Sequence, residues 1–276
     1  MDVLKLASFS DGLIGGNPAG VVIASELPEA ADMQAIAKSV GFSETAFCKK
    51  VEGGWRTRYF SPETEVPFCG HATIALGAAL AAQEGDGEFK LLLNETEISV
   101  QGARYGNLYS ATLISPPTTS RSLIEEELAE TLSIFGYDFT ELDPVISPAF
   151  AHAGANHFLV FLKDRKLLSR LTYDLDVGRK FMHKHGLITV CFGHAESEQL
   201  FHVRNAFASG GVLEDPATGA ASAALSGYLR DISWNHAGNI TFIQGEDMGS
   251  RSIIKSHIPP KRGEGIHIHG EVRKLN

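Results

Sequence analysis

Two stretches of the chain consist of small and apolar residues with almost no charge. They are CGHATIALGAAL at 69–80 and TGAASAALSGYL at 218–229. Both are rich in Ala and Leu, which favour the helical conformation. A helix that is apolar on every face is buried on every face. The pattern therefore predicts two central helices, each surrounded by other structure.

Most of the remaining sequence shows short runs in which apolar and polar positions alternate. Examples are ATLIS at 111–115, FLVFL at 158–162, NITFI at 239–243 and GIHIHGEV at 265–272. Runs of this length and composition are typical of β-strands. The chain is therefore predicted to have an α+β fold with mainly antiparallel sheets.

The two helical stretches belong to an internal repeat, with an offset of 218 − 69 = 149 residues. The segments before them also match, since RYFSPETEVPFCG and RNAFASGGVLEDPATG each combine an Arg-led strand, a turn and an acidic residue. Further upstream, MQAIAKSVGFSETAFC and VGRKFMHKHGLITVCF each read as a short amphipathic helix, a Gly and a strand. Three blocks in the same order indicate two pseudo-symmetric halves, each a curled, mainly antiparallel β-roll or barrel around a central helix.

A linker is predicted at ISPPTTSRS, where two prolines and a Ser/Thr cluster interrupt the strands. The N-terminal half is expected at 1–117, with a C-terminal strand at about 262–276 returning to it. The C-terminal half is expected at 118–261. Each half then contains the start of one central helix.

Helix N-termini expose unpaired N–H groups and a partial positive charge, so they bind carboxylate or phosphate. Pseudo-symmetry could bring both N-termini to one cleft between the halves. The alternative is that both helices are simply well capped, with Asp215 and Thr218 as N-cap residues of the second helix. Both interpretations are open from the residues alone.

The candidate chemistry lies where the repeat is broken. Glu44 aligns with Thr189, and His71 aligns with Ala220. Glu44 lies in an otherwise apolar segment, where a carboxylate can act as a general acid or base; the alternative is a surface carboxylate at the start of a strand. His71 lies in the first helical turn, where it could contact a ligand or cap its own helix.

Composition and charge exclude several classes of partner. The formal net charge is −9 without a Lys/Arg cluster, which argues against nucleic acid. No apolar run is long enough for a bilayer, so no membrane association is expected. Cys48, Cys69 and Cys191 form neither a disulfide framework nor a zinc pattern. No signal peptide is evident, so we expect a cytoplasmic protein.

Several motifs together resemble the phenazine-biosynthesis PhzF-like family. They are GNPAGVV at 16–22, GFSETAF at 41–47, RYFSPETEVPFCGHAT at 58–73, GVLEDPATGAAS at 211–222 and, as a C-terminal strand signal, MGSRSII at 248–254. The resemblance implies the diaminopimelate epimerase-like fold, a cofactor-independent isomerase and a homodimer. By motif match Glu44 would be the acid/base. The implied substrate-binding positions are Gly70, His71, Asp215, Gly219 and Ala220, the last standing where the family often has Ser.

The sequence thus predicts an isomerase that transfers a proton on a small carboxylate-bearing substrate. One alternative is an epimerase, racemase or dehydratase on the same fold, with Asp215 or Cys69 as a second acid/base. Another is a catalytically silent protein that binds a small molecule, and a third is a structural or interaction protein. The opposed-thiol mechanism of related epimerases is disfavoured, because Thr218 aligns with Cys69.

Overall fold

The chain forms two compact units in the computed structural model, which describes residues 2–106 and 108–275. The first unit runs up to Ile114 and includes the C-terminal segment from His269. The second unit runs from Ser115 to Ile268.

The first unit contains two helices and most of its strands in one continuous stretch of chain. Its elements are β1 (Leu4–Ser8), β2 (Asn17–Ile23), α1 (Ala30–Val40), β3 (Thr45–Val51), β4 (Gly54–Phe60), β5 (Glu65–Val66), α2 (Gly70–Glu84), β6 (Gly87–Leu92), β7 (Glu97–Tyr105) and β8 (Leu108–Ile114).

The second unit repeats this arrangement with additional helices. Its elements are β9 (Thr119–Ser122), α3 (Glu125–Phe135), β10 (Ala149–His152), β11 (Asn156–Phe161), α4 (Arg165–Ser169), α5 (Leu175–Lys184), β12 (Thr189–Ala195), β13 (Leu200–Ala206), β14 (Glu214–Asp215), α6 (Gly219–Asp231), β15 (Asn239–Gln244) and β16 (Ser252–His257). The last strand, β17 (His267–Lys274), begins in the second unit and continues into the first.

The strands of the first unit close into a barrel. The pairs β1–β2, β3–β4, β6–β7 and β7–β8 are antiparallel, whereas β2–β3 and β4–β6 are parallel. Strand β17 pairs with both β8 and β1, which completes the ring of eight strands. The predicted α+β fold is confirmed.

The sheet of the second unit has the same order of parallel and antiparallel pairs. Strands β9, β10 and β11 pair antiparallel, β11–β12 is parallel, β12–β13 is antiparallel, β13–β15 is parallel and β15–β16 is antiparallel. In both units a long parallel crossover contains the central helix: α2 lies between β4 and β6, and α6 lies between β13 and β15. This correspondence matches the three repeated sequence blocks.

Helix α2 is buried on all sides, as its composition predicts. Residues 71–81 are buried, and the helix packs against β2, β7 and β8. A Cβ atom on Gly102 would lie 2.2 Å from the backbone oxygen of Gly77, so these two glycines allow α2 and β7 to approach closely. Such close packing holds the N-terminus of α2 at a fixed position in the barrel.

The hydrophobic core of the second unit is dominated by aromatic side chains. Phe135 contacts Phe192 with ring centroids 4.8 Å apart, and Phe158 contacts Phe181 at 6.0 Å. Offset and edge-on contacts of this kind stabilise a core beyond area burial alone. They hold α3 and α5 against the sheet of the second unit.

The motif MGSRSII leads into a strand. Met248 ends a 3₁₀ turn at Glu246–Met248, and Gly249 lies in a turn with a positive φ of 78°. The last three residues of the motif begin β16, which starts at Ser252. Within residues 2–106 and 108–275, no helix combines the length and apolarity that a bilayer crossing requires.

Candidate functional site

The start of helix α2 is anchored by a buried chain of hydroxyl groups. The hydroxyl of Thr73 donates to the carbonyl oxygen of Cys69 over 2.7 Å, and the hydroxyl of Tyr59 lies 2.6 Å from that of Thr73. Burial raises the pKa of Tyr59 well above its usual value, so its hydroxyl stays protonated and can donate. This chain fixes the first turn of α2 to strand β4.

Glu44 and His71 lie side by side at this helix start. Oε2 of Glu44 is 3.4 Å from Nε2 of His71, and the two side chains are 19% and 9% exposed. The hydroxyl of Ser43 lies 3.4 Å from the same nitrogen, while Sγ of Cys69 lies 3.4 Å from Nδ1. The hydroxyl of Ser8 donates to the carbonyl oxygen of His71 over 2.6 Å. The structure therefore brings a carboxylate, an imidazole and a thiol together.

Strand pairing determines the position of Glu44. It immediately precedes β3, and its carbonyl oxygen accepts the backbone N–H of Gly20 over 3.1 Å. A Cβ atom on Gly20 would lie 2.6 Å from the side-chain oxygen of Thr45. Glycine at position 20 thus allows β2 and β3 to pair closely at the start of β3, next to Glu44.

The start of α6 in the second unit carries a different polar set. The hydroxyl of Thr218 donates to Oδ2 of Asp215 over 2.5 Å. The buried side chain of Gln244 donates to the carbonyl oxygen of Asp215 over 2.7 Å and accepts the backbone N–H of Thr218 over 3.1 Å. Asp215 and Gln244 therefore hold the turn that leads into α6.

These contacts correct the expected capping of α6. Thr218 occupies the N-cap position, but its side chain makes no capping hydrogen bond, because it is engaged with Asp215. The N-cap side chain of α2, Cys69, makes no capping bond either. The N-cap side chains thus cap neither helix start, where the first backbone N–H groups are those of Gly70 in α2 and of Gly219 and Ala220 in α6. Such groups are favourable for an anion.

Strand register confirms which residues correspond between the units. Thr45 pairs with Phe60 in the first unit, as Val190 pairs with Ala206 in the second. Glu44 and Thr189 directly precede these two positions, so they are equivalent. Thr189 is buried, lies 2.8 Å from Nδ1 of His157 and donates to Oδ1 of Asn205 over 3.0 Å.

A second asymmetry appears in the two-residue strands. Phe60 pairs with Glu65 and Tyr59 with Val66, whereas Ala206 pairs with Glu214 and Asn205 with Asp215. The equivalent of Asp215 is therefore the apolar Val66. Each unit has an acidic residue before its helix, as predicted, but the strand β14 has one carboxylate more than β5.

The shared acidic residues form equivalent ion pairs. Glu65 receives two hydrogen bonds from Arg58, at 2.6 and 2.8 Å, and this interaction lowers the pKa of Glu65. Glu214 receives bonds of 2.6 Å from Nη2 and 3.0 Å from Nε of Arg204. Because both units contain this pair, it belongs to the repeated scaffold.

Gln244 and His157 were missed by the sequence analysis. Gln244 follows the apolar run NITFI, and His157 immediately precedes FLVFL. The available signal was a polar residue at the end of an apolar strand. Such residues are common at strand ends, and the sequence does not show which residue they contact. Only the tertiary structure shows that both are buried and hydrogen-bonded.

Comparison with known proteins places the chain among homologues over nearly its full length. The family model described as phenazine biosynthesis-like protein matches residues 6–272. The uncharacterized isomerase YfhB of Bacillus subtilis is 29% identical, with 99% of this chain and 98% of the relative covered. The trans-2,3-dihydro-3-hydroxyanthranilate isomerase of Pseudomonas chlororaphis is also 29% identical, with 90% and 86% covered.

Solved structures share the fold. The PhzF-family phenazine biosynthesis protein of Bacillus anthracis superposes with a TM-score of 0.87 at 22% identity, covering 99% of this chain and 96% of the other. A probable proline racemase from Agrobacterium radiobacter superposes with a TM-score of 0.66 at 11% identity, covering 99% and 91%. At these identities the similarity concerns the fold alone.

Proposed function

Because the chain belongs to the phenazine biosynthesis-like protein family, we propose that it is an isomerase that moves a proton within a small carboxylate-bearing molecule. Relatives that match at nearly full length are named isomerases, and one acts on trans-2,3-dihydro-3-hydroxyanthranilate. The observation that carries the proposal is the pairing of Glu44 with His71 at the start of α2.

In the proposed reaction, the carboxylate of Glu44 removes a proton from a carbon next to an electron-withdrawing group. Negative charge then develops on the substrate, and preorganised donors stabilise such charge in the transition state. The backbone N–H of Gly70 and the imidazole of His71 are the proposed donors. Glu44, now protonated, returns the proton to a different carbon of the same molecule. No cofactor is required for this sequence of steps.

The position of Glu44 suits an acid/base that must change protonation state during each turnover. Its side chain is largely buried but not sealed from solvent, and the imidazole of His71 is its neighbour at 3.4 Å. Rigid placement of a proton-transfer group beside a donor is what general acid–base catalysis requires. The equivalent Thr189 has no ionisable group at neutral pH, which supports a single base.

The second unit favours one alternative, a reaction with two acid/base groups. Asp215 is hydrogen-bonded to Thr218 over 2.5 Å and has no acidic equivalent in the first unit. An epimerase would use a second acid/base besides Glu44, and Asp215 is the candidate for it. We favour the proton shift because Asp215 is held by Thr218, whereas Glu44 adjoins an imidazole. The substrate contacts of Asp215, Gly219 and Ala220 stay predictions, as do homodimer assembly and a cytoplasmic location.

Ala220 narrows the proposed substrate class. The motif match places it where the PhzF-like family often has Ser, so a hydroxyl contact would be absent here. We therefore propose a carboxylate substrate that differs from the dihydro-hydroxyanthranilate of the Pseudomonas relative. A site without that hydroxyl favours a less polar group at the corresponding point of the substrate.

A panel of small carboxylic acids in deuterated water tests this function. The panel contains trans-2,3-dihydro-3-hydroxyanthranilate and unsaturated or hydroxylated carboxylates. Each compound is incubated with the wild type or with Glu44→Gln, and proton NMR monitors its conversion. We expect the wild type alone to convert one compound to a double-bond isomer. Conversion that persists in Glu44→Gln would overturn the assignment of Glu44, and binding of a compound without any conversion would favour a silent binding protein.

A further inference from the structure

We propose that Glu44, Cys69 and His71 form a binding site for a thiophilic divalent cation such as Zn²⁺. One ligand atom from each residue lies within 4.8 Å of the other two. The three residues offer a carboxylate oxygen, a sulfur and an imidazole nitrogen, which are the donor types that zinc prefers. The sequence predicted no zinc site, because Cys48, Cys69 and Cys191 form no zinc pattern. The fold brings Glu44 and His71 to Cys69 from outside any cysteine spacing.

The distances between the ligand atoms suit a small cation. Bonds of roughly 2.0–2.3 Å in tetrahedral geometry place neighbouring ligand atoms about 3.3–3.7 Å apart. Oε2 of Glu44 lies 3.4 Å from Nε2 of His71, and Sγ of Cys69 lies 3.9 Å from the same nitrogen. The three ligand atoms all lie within 4.8 Å of one another.

Charge also favours the site. A Cys69 thiolate and the Glu44 carboxylate would together balance the two positive charges of the ion. The partial positive charge at the N-terminus of α2 repels a cation, but it also stabilises the Cys69 thiolate that would bind the cation. Glu44 is 19% exposed, so solvent can reach the cluster and a water molecule can provide a fourth ligand.

The other two thiols provide internal controls. Cys48 and Cys191 are both free and buried, and burial raises the pKa of each to about 12. Neither belongs to a cluster of three potential ligands among the described residues. A thiophilic ion should therefore discriminate strongly between Cys69 and Cys191.

Occupancy would make the cation an inhibitor, and this consequence rests on the proposed function. A carboxylate bound to Zn²⁺ cannot accept a proton from a substrate. Micromolar zinc should then reduce turnover, and a chelator should restore it. Binding itself does not depend on the reaction and can be measured without a substrate.

Calorimetric titration of the chelator-treated full chain with zinc chloride tests the site, together with absorption spectra after addition of Co²⁺. We expect one ion per chain, and a thiolate-to-cobalt charge-transfer band that is absent in Cys69→Ser and retained in Cys191→Ser. Zinc affinity should fall by more than about tenfold in Cys69→Ser, because losing a direct ligand exceeds the effect of losing an outer partner. The Glu44→Gln variant should also bind more weakly.

Two results would overturn the site: no zinc binding by the wild type, or equal binding by the wild type and Cys69→Ser. The outcomes remain separable from those of the proposed function. If Glu44→Gln keeps turnover while zinc binds as expected, the proposed reaction fails and the metal site stands. If turnover depends on Glu44 but zinc does not bind, the metal site fails and the proposed reaction stands.

Discussion

The two units of this chain use one scaffold and differ at the positions that carry ionisable groups. Both contain a parallel crossover with a buried central helix and an Arg–Glu pair before that helix. At the equivalent position next to β3 and β12, one unit has Glu44 beside an imidazole, whereas the other has Thr189 in a buried hydrogen-bond network. The shared residues build the fold, and we propose that the unshared ones provide the chemistry.

The largest effect that tests this comparison is expected at Glu44. Glu44→Gln keeps the shape of the side chain but removes the base, so turnover of the compound found in the panel should fall by about 10³-fold. Steady-state kinetics measure this loss, and the melting temperature should remain close to that of the wild type. Glu63→Gln, an exposed residue of the same unit, is the matched control and should leave turnover unchanged.

The repeated ion pairs should differ in their contribution to stability. Arg204 and Glu214 are 12% and 9% exposed, and Arg204 also donates to backbone oxygens of Leu168 and Ser169. Arg58 and Glu65 are 22% and 28% exposed. Arg204→Met leaves a buried carboxylate unpaired and should cost about 3–5 kcal/mol of unfolding free energy.

The corresponding change in the first unit should cost less. For Arg58→Met we expect about 1 kcal/mol, because water partly solvates Glu65 after the change. Urea unfolding of both variants gives the two values. Equal losses would show that the units do not differ in the way their burial indicates.

Thr189 should behave in the opposite way to Glu44. Thr189→Val removes a hydroxyl that contacts His157 and Asn205, so it should lower the unfolding free energy by about 1–3 kcal/mol. Turnover under conditions where the variant is folded should be retained. A large loss of turnover with unchanged stability would contradict the assignment of Thr189 to the scaffold.

A further expected effect is a pH dependence of stability in the second unit. Burial lowers the pKa of His157 to about 3, whereas the unfolded chain has a value near 6.5. The contribution of neutral His157 to the free energy of unfolding is therefore fully present above about pH 6.5. It is lost as the pH falls towards 3, by up to about 1.4 kcal/mol per pH unit.

Urea unfolding between pH 4 and pH 8 measures this slope. His157→Gln should flatten it relative to the wild type, and His183→Gln, an exposed control, should not. If both variants keep the wild-type slope, protonation of His157 in the unfolded chain is not its cause.

Local sequence patterns were enough to predict the scaffold. The uncharged stretches at 69–80 and 218–229 correspond to α2 and α6, because Ala and Leu favour helix and leave no polar face. Breaks in the repeat indicated Glu44 and His71 as candidates. Their contact could not be predicted, because it depends on how β3 leaves the sheet next to the helix start.

The second helix start shows where local reasoning fails. Thr218 has a typical N-cap residue type and position, yet its hydroxyl donates to Asp215. Gln244, far along the chain, accepts the backbone N–H of Thr218 instead. Competition between local and distant hydrogen-bond partners cannot be read from residue types alone.

The most direct test of the central claim is the position of deuterium after turnover in deuterated water. A single base at Glu44 predicts that the product differs from the substrate by a shifted double bond. Any deuterium should lie at the carbons that lose or gain the proton, and other stereocentres should keep their configuration. Recovery of substrate with an inverted, deuterated stereocentre would contradict this account and require a second base.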